Sequence, residues 1–259
     1  MKTNVRNTFV FGQCMVLCLG LAWGCVKVDV TVTSPSTNRF AEPIYPHDKP
    51  PISIKKLKEF HAIGKKDCLL NFSRDINHEK QQTAAWCWAA SSRMVMEYQN
   101  KMKVPPEPTA LQCDIVRNVF SSWLGGISCC EIKISPDFIN APSACRHGGW
   151  PYWVFNKYQF NYEWVDGQFD DWEALKGEIC KVGPFISVIE WSGGGRHAFI
   201  VRGYRETGLE KVVETDDPVK EDPEELTFDE FVGNSAMEDG SPEFSHDRTY
   251  VQISPETKS

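Results

Sequence analysis

The stretch QQTAAWCWAASSRMVMEY, residues 81–98, decides the fold of this chain. Small residues follow Cys87, and apolar side chains then recur at helical spacing. This pattern predicts a helix that begins at or just after Cys87. A cysteine at a helix N-terminus lies at the positive end of the helix dipole, which favours the thiolate over the thiol. We therefore interpret Cys87 as a candidate nucleophile.

Three further residues supply what a nucleophilic cysteine needs. Gln81 lies upstream on the same stretch, where its side-chain amide and the Cys87 backbone N–H could form an oxyanion hole. His197, in GGGRHAFIVRGY, is the candidate base. Asp217, in VVETDDP, is the candidate carboxylate that orients the imidazole.

This order of residues resembles that of the bacterial papain-like cysteine peptidases, in particular their staphopain-like and bacteriocin-leader-peptidase-like branches. The likeness covers roughly residues 76–253 and rests on Q-x5-C-W-A-A, the later GGWP, the GGGRHAFIVRGY run and the D-P after it. An Asp stands where papain has Asn, and the cysteine that papain carries three residues before its nucleophile is absent. The resemblance implies a peptidase that acts on peptide or protein substrates without metal or organic cofactor.

Two of the site residues have an adjacent alternative. Asp216 and Asp217 point to opposite faces if they lie on a strand. Pro218 favours an extended Asp217, and the resemblance also favours the Asp of D-P, so we choose Asp217 and keep Asp216 in reserve. Gln82 adjoins Gln81, and the six-residue offset from Cys87, which matches the papain-like pattern, favours Gln81.

Each assignment also has a structural alternative. Cys87 could be a buried, inert thiol, and His197 could be a core histidine on a strand. The glycines before His197 do not decide the matter, because a tight hairpin turn needs them in either case. The remaining histidines lie in polar or loop contexts, and we interpret them as surface residues: His47, His61, His78, His147 and His246.

The order of patterns along the chain predicts an α+β fold. Helical patterns at 108–120, from about Pro151, and at 170–183 come first. The runs FISVIEW, HAFIVRGY, EKVVET and RTYVQIS are typical of strands. We expect a papain-like fold, in which a helical half with the central helix packs against an antiparallel β-sheet half. A cleft between the halves would place Cys87 opposite His197.

The N-terminus predicts export. Residues 1–24 carry only two charges, both positive, before an apolar run too short for a comfortable membrane span, as in a signal peptide. Gly24-Cys25 indicates a lipoprotein with lipid on Cys25 and membrane attachment; ordinary secretion with cleavage near Gly24 is the alternative. The mature protein is expected to be secreted, periplasmic or lipid-anchored at the bacterial cell envelope.

The mature chain divides into an arm and a domain. We interpret residues 25–75 as a tether or linker and possible propeptide-like arm, and residues 76–259 as the peptidase domain. The run ISIKKLKEFHAI predicts a short helix, which either packs on the domain or belongs to the arm. Loss of residues 1–24 changes the net charge from −7 to −9, which argues against nucleic acid as a partner. We expect a monomer.

The cysteines predict disulfides. Of ten in the chain, two leave with residues 1–24. If Cys25 carries lipid and Cys87 is the nucleophile, an even number remains, as expected for an exported protein. We expect the four between residues 113 and 145 to pair with one another and Cys68 to pair with Cys180. The alternative is a zinc site that includes His147, although the C-x2-C spacing of such sites is missing.

Two other functions are compatible with these residues. A Cys-His-Asp acyl transferase or deamidase, similar to a transglutaminase, forms the same acyl-enzyme and differs in the acceptor. A catalytically silent surface binding module could keep the fold with an occluded cleft.

Overall fold

The computed structural model describes residues 49–62, 76–102, 108–121, 129–130, 143–191, 194–233 and 244–256. The predicted signal peptide, Cys25, Cys68, His47 and most of the predicted tether lie outside these residues. No helix within the described part is long and apolar enough to cross a membrane.

The described residues form a helical part and one antiparallel sheet. The helices are α1 (Ile54–Ala62), α2 (Cys87–Lys101), α3 (Gln112–Val119), a 3-10 turn (Ser143–Arg146), α4 (Pro151–Tyr158), α5 (Trp172–Lys181) and the short α6 (Phe228–Phe231). The strands are β1 (Phe160–Asp166), β2 (Phe185–Trp191), β3 (Arg196–Thr207), β4 (Glu210–Asp216), β5 (Glu224–Thr227) and β6 (Phe244–Pro255). Every strand pair is antiparallel, in the order β1-β6-β2-β3-β4-β5. The predicted α+β class, with helices packed against an antiparallel sheet, is confirmed.

Helix α2 joins the two parts. Its first turns carry Ala89 and Ala90, both fully buried, and small side chains allow the helix backbone to approach the sheet closely. Ser91 Oγ donates a hydrogen bond to the carbonyl oxygen of Ala198 in β3, at 2.9 Å. This contact holds the N-terminal end of α2 against the strand that carries His197.

Two helix ends explain where the sequence patterns succeed and fail. Asp171 caps α5 by accepting a hydrogen bond from the Ala174 N–H at 2.9 Å, within the helical pattern predicted at 170–183. The short helix predicted to start near Pro151 is present as α4, which ends at Tyr158 because Gln159 adopts a left-handed conformation with φ 58°. The chain then enters β1, a strand that the sequence pattern did not predict.

Helix α1 packs on the domain, which is one of the two alternatives left open by the sequence. Leu57 is fully buried, and the Ile52 N–H donates to the Trp164 carbonyl oxygen at 2.9 Å. His61 Nε2 lies 2.9 Å from Oε2 of Glu178 in α5, and that carboxylate is fully buried. Residues 52–61 therefore contribute to the core.

Two histidines correct the expectation that all but His197 lie at the surface. His61 and His246 are both buried. His246 lies between Ser187 Oγ, 2.8 Å from its Nδ1, and the Phe231 carbonyl oxygen, 2.6 Å from its Nε2. Burial lowers the pKa of His246 and favours its neutral form. The polar sequence around it gave no sign of these buried partners.

The predicted cysteine cluster is confirmed. Cys113 pairs with Cys130, and Cys129 pairs with Cys145. These sulfurs are therefore not available as thiolate ligands for zinc. Cys180 is also disulfide-bonded; its predicted partner, Cys68, lies outside the described residues.

Candidate active site

Cys87 is the first residue of α2 and is mostly buried, with 9% of its surface exposed. It is the free cysteine of the described residues. The tryptophans on either side are almost wholly buried, and Trp86 Nε1 donates to the Cys145 carbonyl oxygen at 2.9 Å. These side chains anchor the helix start from both sides and so hold the Cys87 sulfur in place.

His197 lies at the start of β3, directly after the hairpin turn from β2. Gly194 and Gly195 adopt φ values of 88° and 93°, which glycine reaches without strain. The turn is closed by the Gly194 N–H, which donates to the Trp191 carbonyl oxygen at 2.8 Å. The His197 ring stacks on those of Trp191 and Phe199, with ring centres 6.5 and 6.4 Å away, and this packing restricts its orientation.

Asp217 contacts His197, whereas Asp216 points elsewhere. Asp217 Oδ1 lies 2.7 Å from His197 Nε2 and accepts a hydrogen bond from the Val219 N–H at 2.9 Å. Asp216 is fully buried and binds His78 and Arg202 instead. The alternation of side chains at the end of β4 separates the two carboxylates, as the choice of Asp217 assumed.

The charges of the site favour an imidazolium. Burial lowers the pKa of His197, but hydrogen bonds and charge interactions with Asp217 and Cys87 outweigh it and raise the pKa to about 9. Burial raises the pKa of Asp217, and the interaction with His197 outweighs it, so that this pKa lies below its ordinary value. Because Nε2 faces Asp217, Nδ1 is the nitrogen left for the Cys87 sulfur.

Gln81 lies on the loop that leads into α2. Its backbone N–H donates to the Pro218 carbonyl oxygen at 2.8 Å, which joins it to the turn after Asp217. Its side-chain Oε1 is buried and accepts no hydrogen bond within the described residues. The neighbouring Gln82 is exposed. Of the two adjacent glutamines, Gln81 is therefore the one whose side chain is half-buried.

A cavity of about 320 Å³ opens beside the Cys87 sulfur. A Cβ built on Gly149, in its wall, would lie 2.6 Å from the Trp88 ring, so only glycine fits there. The Arg196 guanidinium lies 5.1 Å from the centre of the Trp150 ring, and Arg196 Nε donates to Asp247 Oδ2 at 2.5 Å. Trp150 and Arg196 were not predicted as site residues; the signals in the sequence were the position of Trp150 directly after Gly148-Gly149 and that of Arg196 directly before His197.

A second cavity, of about 490 Å³, borders Asp217. Half of its lining residues are apolar, and Asp217, Lys220, Glu224 and Glu225 are the charged members. The two cavities thus adjoin different members of the Cys87–His197–Asp217 set.

A family model described as "Papain-like cysteine protease AvrRpt2" matches residues 70–144. The match includes Gln81 and Cys87 but ends before His197 and Asp217. It confirms the resemblance to papain-like cysteine peptidases and supports a cysteine peptidase in general. No curated protein matches the sequence.

Solved structures of similar architecture include cathepsin proenzymes. One is proCathepsin B S9 from Trypanosoma congolense, with 12% identity, a TM-score of 0.48, and coverage of 80% of this chain and 83% of that chain. Another is procathepsin L2 proteinase from Tenebrio molitor larval midgut, with 12% identity, a TM-score of 0.46, and coverage of 76% and 73%.

Proposed function

We propose that this protein is a cysteine peptidase that hydrolyses peptide bonds through a Cys87 acyl-enzyme, with His197 as the base and Asp217 as the orienting residue. The observation that carries the proposal is the chain of contacts from the Cys87 thiol through the His197 ring to Asp217 Oδ1. A thiol, an imidazole and a carboxylate in this order form the set that activates a nucleophile.

The proposed reaction uses these residues in sequence. His197 takes the proton of Cys87, and the resulting thiolate attacks the carbonyl carbon of the peptide bond. Gln81 and the Cys87 backbone N–H stabilise the negative oxygen of the tetrahedral intermediate. The imidazolium then gives its proton to the leaving amine, and water attacks the thioester with His197 again as base. Asp217 keeps the imidazole oriented and stabilises its charged form.

The cavity beside Cys87 suits an extended peptide. Gly149 leaves its wall flat, so that a substrate backbone can approach closely. Trp150 and Arg196 supply an aromatic face and a positive charge at the same wall, although Asp247 already partners that charge. We expect substrates to be peptides or proteins, bound without a metal ion.

Labelling with an epoxide thiol inhibitor, followed by peptide mapping, tests the nucleophile. We expect the inhibitor to modify Cys87 selectively and the label to be lost in His197→Ala. We also expect Cys87→Ala to abolish cleavage of a peptide library, because Cys87 is the free thiol among the residues that the structure describes, while the circular dichroism spectrum and melting temperature stay near those of the wild type. Full peptidase activity in Cys87→Ala would refute the assignment.

Two outcomes would point to the alternative functions. Release of ammonia from glutamine substrates without chain cleavage would identify a deamidase or acyl transferase that uses the same acyl-enzyme. A folded wild-type protein whose Cys87 resists the inhibitor would indicate a binding module with an occluded site.

Export is part of the same proposal. The disulfides Cys113–Cys130 and Cys129–Cys145 support it, because structural disulfides form and persist in oxidising compartments. Attachment through a lipid on Cys25 and plain secretion are two forms of this proposal, and fractionation of cells with and without detergent separates them.

A further inference from the structure

Outside the Cys87–His197–Asp217 set, two chain segments that carry site residues are bound to each other. Residues 76–82 precede Cys87 and contain Gln81; residues 216–221 form the turn that contains Asp217. Besides the hydrogen bond from the Gln81 N–H to Pro218, His78 joins the two segments. Its Nδ1 hydrogen-bonds Asp216 Oδ1, and its Nε2 lies 3.2 Å from the Lys220 carbonyl oxygen.

Asp216 is the centre of this connection. Its carboxylate is fully buried, and its second oxygen accepts a hydrogen bond from Arg202 Nη1 at 2.8 Å. Arg202 is itself 4% exposed, and its Nη2 lies 3.3 Å from the Ile76 carbonyl oxygen. Each partner of the buried carboxylate therefore makes a second contact: His78 with Lys220 in the turn, and Arg202 with Ile76 in the segment before Cys87. A buried charge of this kind is retained only with such partners, because an unpaired one is strongly destabilising.

We propose that His78 is a positioning residue of the peptidase and that, with Asp216 and Arg202, it forms a latch that holds Gln81 and Asp217 in their working positions. The inference rests on the proposed function. His78 contacts neither Cys87 nor His197 in any described interaction; it acts through the neighbours of Gln81 and Asp217.

The latch connects the two groups that stabilise charge in the transition state. Gln81 would bind the negative oxygen, and Asp217 the imidazolium, so both interactions are strongest in the transition state. A displacement of about 1 Å in a positioned group can cost about 100-fold in rate. Loosening the latch should therefore lower kcat more than it changes KM.

The test compares His78→Leu with His78→Asn and a matched control. We expect His78→Leu to lower kcat roughly 10- to 100-fold with little change in KM, because the turn and the loop separate. His78→Asn places an amide N–H where Nδ1 lies, so it should recover most of the loss. His61→Leu removes another buried histidine–carboxylate contact, away from the cavity beside Cys87. It should lower the melting temperature and leave kcat unchanged.

Three results would overturn the latch. These are wild-type kcat in His78→Leu, an equal loss of kcat in His61→Leu, and no recovery in His78→Asn. If His78→Leu does not fold, Arg202→Lys replaces it in the test. Lysine keeps a positive charge next to Asp216 but cannot also bind the Ile76 carbonyl oxygen. Wild-type kcat in Arg202→Lys would then count against the latch.

A readout that does not need turnover separates the latch from the peptidase proposal. The rate of Cys87 alkylation by iodoacetamide is measured against pH in the wild type, His78→Leu and Asp217→Asn. The latch predicts that the profile of His78→Leu shifts in the same direction as that of Asp217→Asn. An unshifted profile contradicts the latch even if the wild type proves inactive on peptides, whereas inactivity alone contradicts only the proposed function.

Discussion

At His197, burial and electrostatics act in opposite directions. Removal from water disfavours the charged ring, whereas Asp217 and Cys87 favour it, and the balance raises the pKa to about 9. A histidine whose pKa is raised on folding stabilises the protein fully below its ordinary pKa near 6.5, and this contribution is lost as the pH rises through about 9. The charged ring therefore persists across the neutral range.

This balance predicts the pH dependence of activity. We expect kcat/KM of the wild type to fall on the alkaline side near pH 9, where His197 loses its proton. In Asp217→Asn the neutral amide no longer stabilises the imidazolium, so the alkaline limb should move down by about one to two pH units. Measurement of kcat/KM from pH 5 to 10 checks this.

An alkaline limb that stays in place in Asp217→Asn would show that Asp217 does not support the charge of His197. Asp216 offers no equivalent control for charge, since its carboxylate is buried with two partners and its loss would disturb the latch.

The direction of a single side chain can be predicted from the sequence where a rule about neighbouring residues applies. The period of a strand is enough to separate Asp217 from Asp216, and Pro218 fixes the direction. The burial of His61 and His246 follows instead from distant partners, Glu178 and Ser187, whose approach no local pattern encodes. The residues of the candidate site could be proposed from the sequence, whereas the contacts that support them could not.

Among the elements, α1 has the least certain role from sequence and a clear one in the structure. Its apolar side places Leu57 in the core, and its last turn places His61 on Glu178. None of its residues lines the cavity beside Cys87. We therefore regard α1 as a structural part of the domain, not as a segment that blocks the cleft.

Truncation of a core residue in α1 tests this role. We expect Leu57→Ala to lower the free energy of unfolding by about 2–5 kcal/mol, because it leaves a cavity under the helix. The value of kcat should not change. Phe60→Ala, on the exposed side of the same helix, should change the free energy of unfolding by no more than about 0.5 kcal/mol. Urea unfolding and steady-state kinetics measure both quantities.

A gain in activity for Leu57→Ala would contradict this structural role, since it would mean that α1 restrains the site.

Strand β1 shows why some elements could not be predicted from the sequence. Its start depends on the left-handed Gln159, a residue type that seldom adopts this conformation, and its pairing with β6 joins distant parts of the sequence.

At the scale of the whole molecule, the disulfides support the wall of the cavity beside Cys87. Cys145 lies three residues before Gly148, and its carbonyl oxygen accepts the hydrogen bond from Trp86 next to the nucleophile. The Cys129–Cys145 bond thus connects the cleft wall to the segment that follows α3. The Cys113–Cys130 bond joins α3 to Cys130, the residue after Cys129, and reaches the cavity wall only through the Cys129–Cys145 bond.

The two bonds should therefore differ in their effect on substrate binding. Loops of 16 and 17 residues predict a similar loss of about 3 kcal/mol in unfolding free energy for Cys129→Ser/Cys145→Ser and for Cys113→Ser/Cys130→Ser. We expect the first double variant to raise KM more, because it releases the wall that contains Gly149. Equal values of KM in the two variants would contradict this role of Cys145.

The fold class was predictable because helical and strand patterns are separated along much of the chain. The strand order was not, since β6 inserts between β1 and β2 through contacts between residues far apart in sequence. The short β5 and α6 also gave no pattern long enough to recognise.

The two disulfides that meet at the adjacent Cys129 and Cys130 also determine what a cut in the backbone does to the protein. Cys113–Cys130 and Cys129–Cys145 enclose overlapping spans of the chain. A single backbone cut anywhere between Cys113 and Cys145 therefore leaves the two products joined by at least one disulfide. If the protein is exported and meets other peptidases, as proposed, it would remain one covalent molecule after such a cut until a reductant opened the disulfide.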